Sequence, residues 1–126
     1  LYAGVGGAPE GVLSAAALRC LGGGMQAQIW PRDETEKQSL IEQGWEDRLH
    51  KVFLSRDLAH GQGLLFCATG ISDSPLLKGV QVNGSTAVTH SILMRVKTGT
   101  IRFIQAHHNL KTKTLRLRSK RSEVEL

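Results

Sequence analysis

A glycine-rich stretch running straight into an alanine-rich one constrains this chain more than any other feature. Gly4-Val5-Gly6-Gly7-Ala8-Pro9-Glu10-Gly11 is followed by Val12-Leu13-Ser14-Ala15-Ala16-Ala17-Leu18. The glycines allow backbone to approach a ligand closely, and the alanine run reads as a helix. Pro9 falls at the expected first helical residue, a position that tolerates its missing N–H. Glu10 then lies in the first turn, its carboxylate beside the free amides of the helix N-terminus. A helix mouth of this kind attracts anions, phosphate above all. A carboxylate in the same mouth repels a bare phosphate, and a divalent cation between the two removes the conflict. The stretch therefore reads as part of a metal-bridged phosphate site.

Composition bounds the rest. With 126 residues, 40% of them hydrophobic and 21% charged, the chain is one domain's worth with material for a single core. No apolar run approaches the roughly 20 residues that span a bilayer, and no signal-peptide pattern opens the chain. No membrane partner is expected, and the expected compartment is the cytoplasm. Leu1-Tyr2-Ala3-Gly4 reads as the end of a strand already under way, so a piece of a longer protein is expected. The net charge of +5 is uneven, since residues 1–110 hold 10 Lys and Arg against 9 Asp and Glu. The excess sits in a tail, 111–126, with Lys111, Lys113, Arg116, Arg118, Lys120 and Arg121. That tail reads as a solvated, disordered terminus, and the folded part offers no broad nucleic-acid surface. Cys20 falls on the helix and Cys67 in an apolar run, and both read as buried reduced thiols. No Cys/His spacing supports zinc.

Along the chain, Val12, Leu13, Ala16, Ala17, Cys20 and Leu21 recur at helical spacing as one apolar face, and Gly22-Gly23-Gly24 ends that helix. Met25 to Trp30 reads as a strand stopped by Pro31. Asp33 caps a surface helix, with Glu36 completing a capping box and Gly44 ending it. Lys51 to Leu54 is a second short strand, and Asp57 to Gly61 a turn or single helical turn. Leu64 to Ala68 is apolar throughout, as expected of a parallel strand buried on both faces. It leads into the polar loop Thr69 to Pro75, the strand end at which ligands gather in open α/β sheets. After a strand near Val80 to Val82, alternation over Ala87 to Val96, a turn at Lys97 to Thr100 and a return over Ile101 to Ala106 predict an antiparallel hairpin.

Several candidate chemistries fail on spacing. As a dinucleotide fingerprint the opening is poor, because Pro9 stands where close helix–strand packing wants Gly or Ala. Asp33 serves better as a helix cap than as a ribose-binding acid. No GKS or GKT run exists, which excludes a P-loop. His107 and His108 are adjacent on a strand and face apart, so they do not readily share a metal. His90 and Ser91 face apart for the same reason, and no Ser–His–Asp arrangement is legible. Asp73 is either a ligand-facing acid or, more commonly for such a position, a turn former. One carboxylate, Glu10, cannot make a metal site, so further ligands must come from elsewhere.

The opening stretch, continued through Ala15-Ala16-Ala17-Leu18-Arg19-Cys20-Leu21-Gly22-Gly23, closely resembles the class II fructose-1,6-bisphosphatases. Met25-Gln26, the strand and loop from Leu64 to Ile71, and Thr100-Ile101-Arg102-Phe103-Ile104 match in order, so the resemblance covers residues 1–110, a carboxy-terminal portion. It implies the layered α/β sugar-phosphatase fold shared with inositol monophosphatases, here as a mixed-sheet half with a terminal antiparallel hairpin. It also implies hydrolysis of the 1-phosphate of fructose-1,6-bisphosphate, and in cyanobacteria of sedoheptulose-1,7-bisphosphate, with Mg²⁺ or Mn²⁺ as cofactor. A homo-oligomer, dimer or tetramer, is implied for the full-length enzyme. The glutamate of the Ala-Pro-Glu-Gly motif maps onto Glu10 as a metal ligand, and the glycine three residues earlier onto Gly7 as a substrate contact. No catalytic residue maps onto this chain, which alone is expected to be inactive. The family's Thr-Asp-Gly is replaced here by Ser72-Asp73-Ser74-Pro75. The competing expectations are a non-catalytic sugar-phosphate or nucleotide-binding module and an inactive remnant.

Overall fold

A computed structural model describes residues 2–113, and the tail beyond 113 lies outside the described residues. The order is α1 (Ala8–Cys20), β1 (Gln26–Ala27), α2 (Glu34–Glu42), a 3-10 turn (Glu46–Arg48), β2 (Phe53–Leu54), α3 (Ser55–Leu58), β3 (Leu65–Thr69), β4 (Gln81–Asn83), β5 (Thr86–Arg95) and β6 (Thr100–Asn109). The chain divides into two compact units. Among the described residues, one comprises 2–68 and 92–103 and the other 69–91 and 104–113.

In the first unit α1 packs against α3. Ala15 is fully buried on this helix and Cys20 nearly so. The expected apolar face is rotated, because Val12 and Leu13 are 41% and 59% exposed and Leu21 is exposed as well. Hydrophobicity alone did not pick the buried stripe. The guanidinium of Arg19, in the last turn of α1, donates to the carbonyl oxygen of Ala59, the residue that closes α3. The helix ends as expected: Gly22, at φ +71°, donates to Arg19 O and Gly23 to Leu18 O, satisfying the last carbonyls.

Several boundaries move. Residues 2–7 form no strand, and Pro9 is the second helical residue, after Ala8. The strand expected over Met25 to Trp30 shrinks to Gln26–Ala27, paired antiparallel with Phe53–Leu54. Asp33 caps α2 by accepting from Glu36 N at 2.8 Å, and Gly44 ends the helix at φ +79°. The capping box closes one residue early. The Glu36 carboxylate accepts from Arg32 N at 2.7 Å and then from the Arg32 side chain, which holds it below the usual carboxylate range. No residue of α2 is buried, in keeping with a surface helix. The turn expected over Asp57 to Gly61 lies earlier, as α3 at Ser55–Leu58, because Asp57 accepts from Leu54 N at 2.8 Å and so sits inside the first turn rather than opening it.

β5 is the strand on which β3, β4 and β6 all pair. The expectation of a parallel strand buried on both faces is corrected for β3. Val96 N donates to Leu64 O in the first unit and Gly70 N to His90 O in the second, an order that only antiparallel strands produce. One face of β3 is open, with Leu65 59% exposed and Cys67 exposed too, so only Cys20 is the buried thiol expected. Ile92 and Met94 of β5 are the largest fully buried side chains. The hairpin of β5 and β6 forms as expected and β6 runs on to Asn109. The fold is α/β with antiparallel pairing, not the mixed sheet expected.

In the second unit Gly70 meets His90 while Gln81 meets Val88, so ten residues leave the edge of β5 between neighbouring positions. This excursion is pinched at its neck. A Cβ on Gly70 would overlap the Lys78 carbonyl oxygen, and one on Gly79 would lie 2.8 Å from Ile71 O. Val80 N donates to Ile71 O at 3.1 Å, and Ser74 exchanges hydrogen bonds with Leu77, whose side chain is buried.

Two stability outcomes follow from these contacts. Arg19→Met keeps the aliphatic stem but strands the Ala59 carbonyl, and should lower urea-unfolding stability by about 1–3 kcal/mol. Gly79→Ala forces backbone apart at the neck and should destabilise by about 1–3 kcal/mol. Gly63→Ala, where an added Cβ meets nothing within 4 Å, should leave the same unfolding curve within about 0.5 kcal/mol once its backbone effect is included.

Candidate functional site

The glycine loop arrives at α1 with Gly7 as the N-cap, in extended backbone at φ −69° and ψ 154°. No side chain caps this end. The first turn therefore presents its donors outward, one fewer than usual because Pro9 has none. None of the glycines from Gly4 to Gly11 takes a positive φ. Their role is space rather than unusual backbone, and at Gly7 the reason is specific. The Glu10 carboxylate folds back over the Cα of Gly7, so that a Cβ there would collide with Glu10 Oε2. At Gly4 an added Cβ would only touch the Tyr2 ring at 3.5 Å, and at Gly6 and Gly11 it would meet nothing.

The two residues singled out from the sequence, Gly7 and Glu10, are thus brought together. Both are exposed, and so is the whole loop from Tyr2 to Glu10. One exposed carboxylate offers two oxygens, while Mg²⁺ takes six ligands in near-octahedral array. Among the described residues no three His, Cys, Asp or Glu side chains converge on a point. Glu10 fits as one ligand of a hard cation, and the described residues do not fit a complete metal site.

The other candidates have partners of their own. Asp73 is a turn former, because its Oδ1 accepts from Gly79 N at 2.8 Å across the neck of the excursion. Ser91 pairs with Thr69, hydroxyl to hydroxyl at 2.8 Å, and no hydrogen bond between its hydroxyl and a histidine occurs among the described residues. His107 lies 3.0 Å from Gln105, whereas His108 contacts Thr89 and Lys113. The environment of His108 was invisible in sequence, because Thr89 is brought to it only by pairing of β5 with β6.

These features define a class: an α/β protein whose helix mouth carries an acid beside a bare glycine. The particular family comes from comparison with known proteins. The model of the bacterial fructose-1,6-bisphosphatase family, glpX-encoded, matches residues 1–108, and the chain belongs to that family. It is 44% identical over 121 residues to the class 2 fructose-1,6-bisphosphatase of Haemophilus influenzae, covering 87% of this chain and 36% of that relative. It is 42% identical over 118 residues to the D-fructose 1,6-bisphosphatase class 2/sedoheptulose 1,7-bisphosphatase of Synechococcus sp. JA-3-3Ab, covering 83% and 33% respectively. The chain therefore spans about a third of the length of these curated relatives. No helix among the described residues is long and apolar enough to cross a membrane.

Gly7→Ala isolates the steric role of the glycine. The clash falls on the free end of a flexible side chain, so Glu10 should swing off the helix mouth while the helix survives. The expected result is a changed carboxylate carbon NMR shift for Glu10, with a stability loss of no more than about 1 kcal/mol for alanine at the cap.

Proposed function

We propose that the full-length protein hydrolyses the 1-phosphate of fructose-1,6-bisphosphate, and of sedoheptulose-1,7-bisphosphate where that sugar is present, in a layered sugar-phosphatase fold. The observation carrying this reading is the Glu10 carboxylate folded over Gly7 at the mouth of α1, in a chain matched over residues 1–108 by the bisphosphatase family. The Haemophilus relative is named for fructose-1,6-bisphosphate and the Synechococcus relative for both sugar bisphosphates. In the same proposal the cofactor is Mg²⁺ or Mn²⁺, the enzyme is a cytoplasmic homo-oligomer, and the remaining ligands come from chain outside these 126 residues. A bound divalent cation supplies Lewis-acid polarisation of the phosphoryl oxygen.

This chain's own contribution is positional. Glu10 supplies one carboxylate ligand, held by the helix that carries it. Gly7, lacking a side chain, leaves room for that carboxylate to fold back over the helix mouth, and its backbone is the substrate contact in this reading. The outward N–H groups of the first turn, with the positive end of the helix, favour the phosphate's negative charge. No residue here is assigned to activate water.

The test is Glu10→Ala in the full-length enzyme. Its kcat should fall by more than the roughly 10–100-fold typical of losing an outer partner of a metal ligand, with the circular dichroism unchanged. Retained activity removes Glu10 from the site. The 126-residue chain alone should release no phosphate from fructose-1,6-bisphosphate with either metal. A metal-independent phosphate affinity at this loop, unchanged by Glu10→Ala, would favour a non-catalytic binding module instead.

A further inference from the structure

The second unit carries a polar cleft of about 430 Å³ lined by Ser85, Thr86, His107, His108, Asn109 and Lys111. No acidic side chain lines it. Asp73 is the sole carboxylate among this unit's described residues, and its Oδ1 already accepts from Gly79 N. Acceptors at the cleft are largely spent on the protein itself. Ser85 O accepts from Leu110 N at 2.8 Å, and Asn109 Oδ1 from Lys111 N at 3.0 Å. The latter contact leaves the Asn109 amide N–H₂ free to face a ligand.

Lys113 adds a second cation, its Nζ 3.0 Å from His108 Nδ1. An ammonium can only donate, so His108 Nδ1 accepts, and its Nε2–H donates to Thr89 Oγ1 at 2.9 Å. The Lys113 side chain is thereby aimed at a ring that borders the cleft, with two N–H donors left over. The result is a concavity with two ammonium groups nearby, an amide donor and the Ser85 hydroxyl, and among the described residues no carboxylate lines it.

We propose that this cleft binds a phosphate-bearing small molecule, its phosphate held by Lys111, Lys113 and Asn109. The volume exceeds that of inorganic phosphate and admits a phosphorylated sugar or other small phosphate monoester. Its occupant is either the bisphosphate of the proposed reaction or a separate phosphate ligand. The binding itself does not depend on the hydrolytic reading.

The experiment titrates the 126-residue chain with inorganic phosphate at constant ionic strength, followed by amide and imidazole NMR. Saturable shifts are expected at Ser85, Asn109, Lys111 and the His108 ring. Lys111→Gln with Lys113→Gln should weaken binding at least about tenfold, with the unfolding midpoint unchanged. Lys78→Gln, an exposed lysine of the same unit outside the cleft, should retain the affinity and so separate the cleft from general charge. A parallel titration with fructose-1,6-bisphosphate identifies the source. Binding much tighter than phosphate points to a sugar phosphate, and equal binding to recognition of the phosphate alone. Linear, non-saturating shifts, shifts reproduced by sodium chloride, or unaltered affinity in the double variant would overturn the proposal.

Discussion

The packing of α1 on α3 is the constraint on which the placement of Glu10 depends. Ala15 on α1 is fully buried, and Arg19 donates to the carbonyl that closes α3. A helix is stiff along its axis at 1.5 Å per residue, so tying it down at Arg19 sets the direction of its other end roughly 13 Å away. Glu10 and the cap at Gly7 sit at that other end. An exposed carboxylate at that end has little else in its own surroundings to orient it, so the helix is its mount.

Space at glycine is used twice in this chain, for different ends. At Gly7 the absent Cβ leaves room for a flexible carboxylate, and a substitution there is absorbed by one side chain. At Gly70 and Gly79 the absent Cβ leaves room for main chain, which cannot yield without opening the excursion. The two sites predict opposite partitions between function and stability. Asp73 belongs with the second kind. Its carboxylate is committed to Gly79 N, which helps the Ser72-Asp73-Ser74-Pro75 run make a closed loop.

The parts of the fold that were legible in the chain are those governed by neighbours a few residues apart. The glycine loop opening α1, the glycine end at Gly22, the Asp33 cap with Gly44 beyond it and the hairpin turn at Gly99 all appear where local chemistry asked for them. The site pair Gly7 and Glu10 was legible for the same reason, since three residues of a first helical turn bring them together. The resemblance to the bisphosphatases rests on that same local stretch, and the family match bears it out.

What the sequence by itself determined is therefore where elements start and stop, and which acid stands at the helix mouth. Tertiary structure alone decided strand direction, the buried stripe and the company each side chain keeps. Leu64 to Ala68 is apolar enough for a parallel strand between two layers, yet it pairs antiparallel and leaves Leu65 and Cys67 exposed. Ala15 rather than Leu13 is buried on α1. Thr89, His108 and Lys113 meet only because two ten-residue strands pair in one register. Short-range preferences act through bonded neighbours and can be read along the chain. Partners distant in sequence are chosen by the packing of whole elements, and no local pattern encodes that choice.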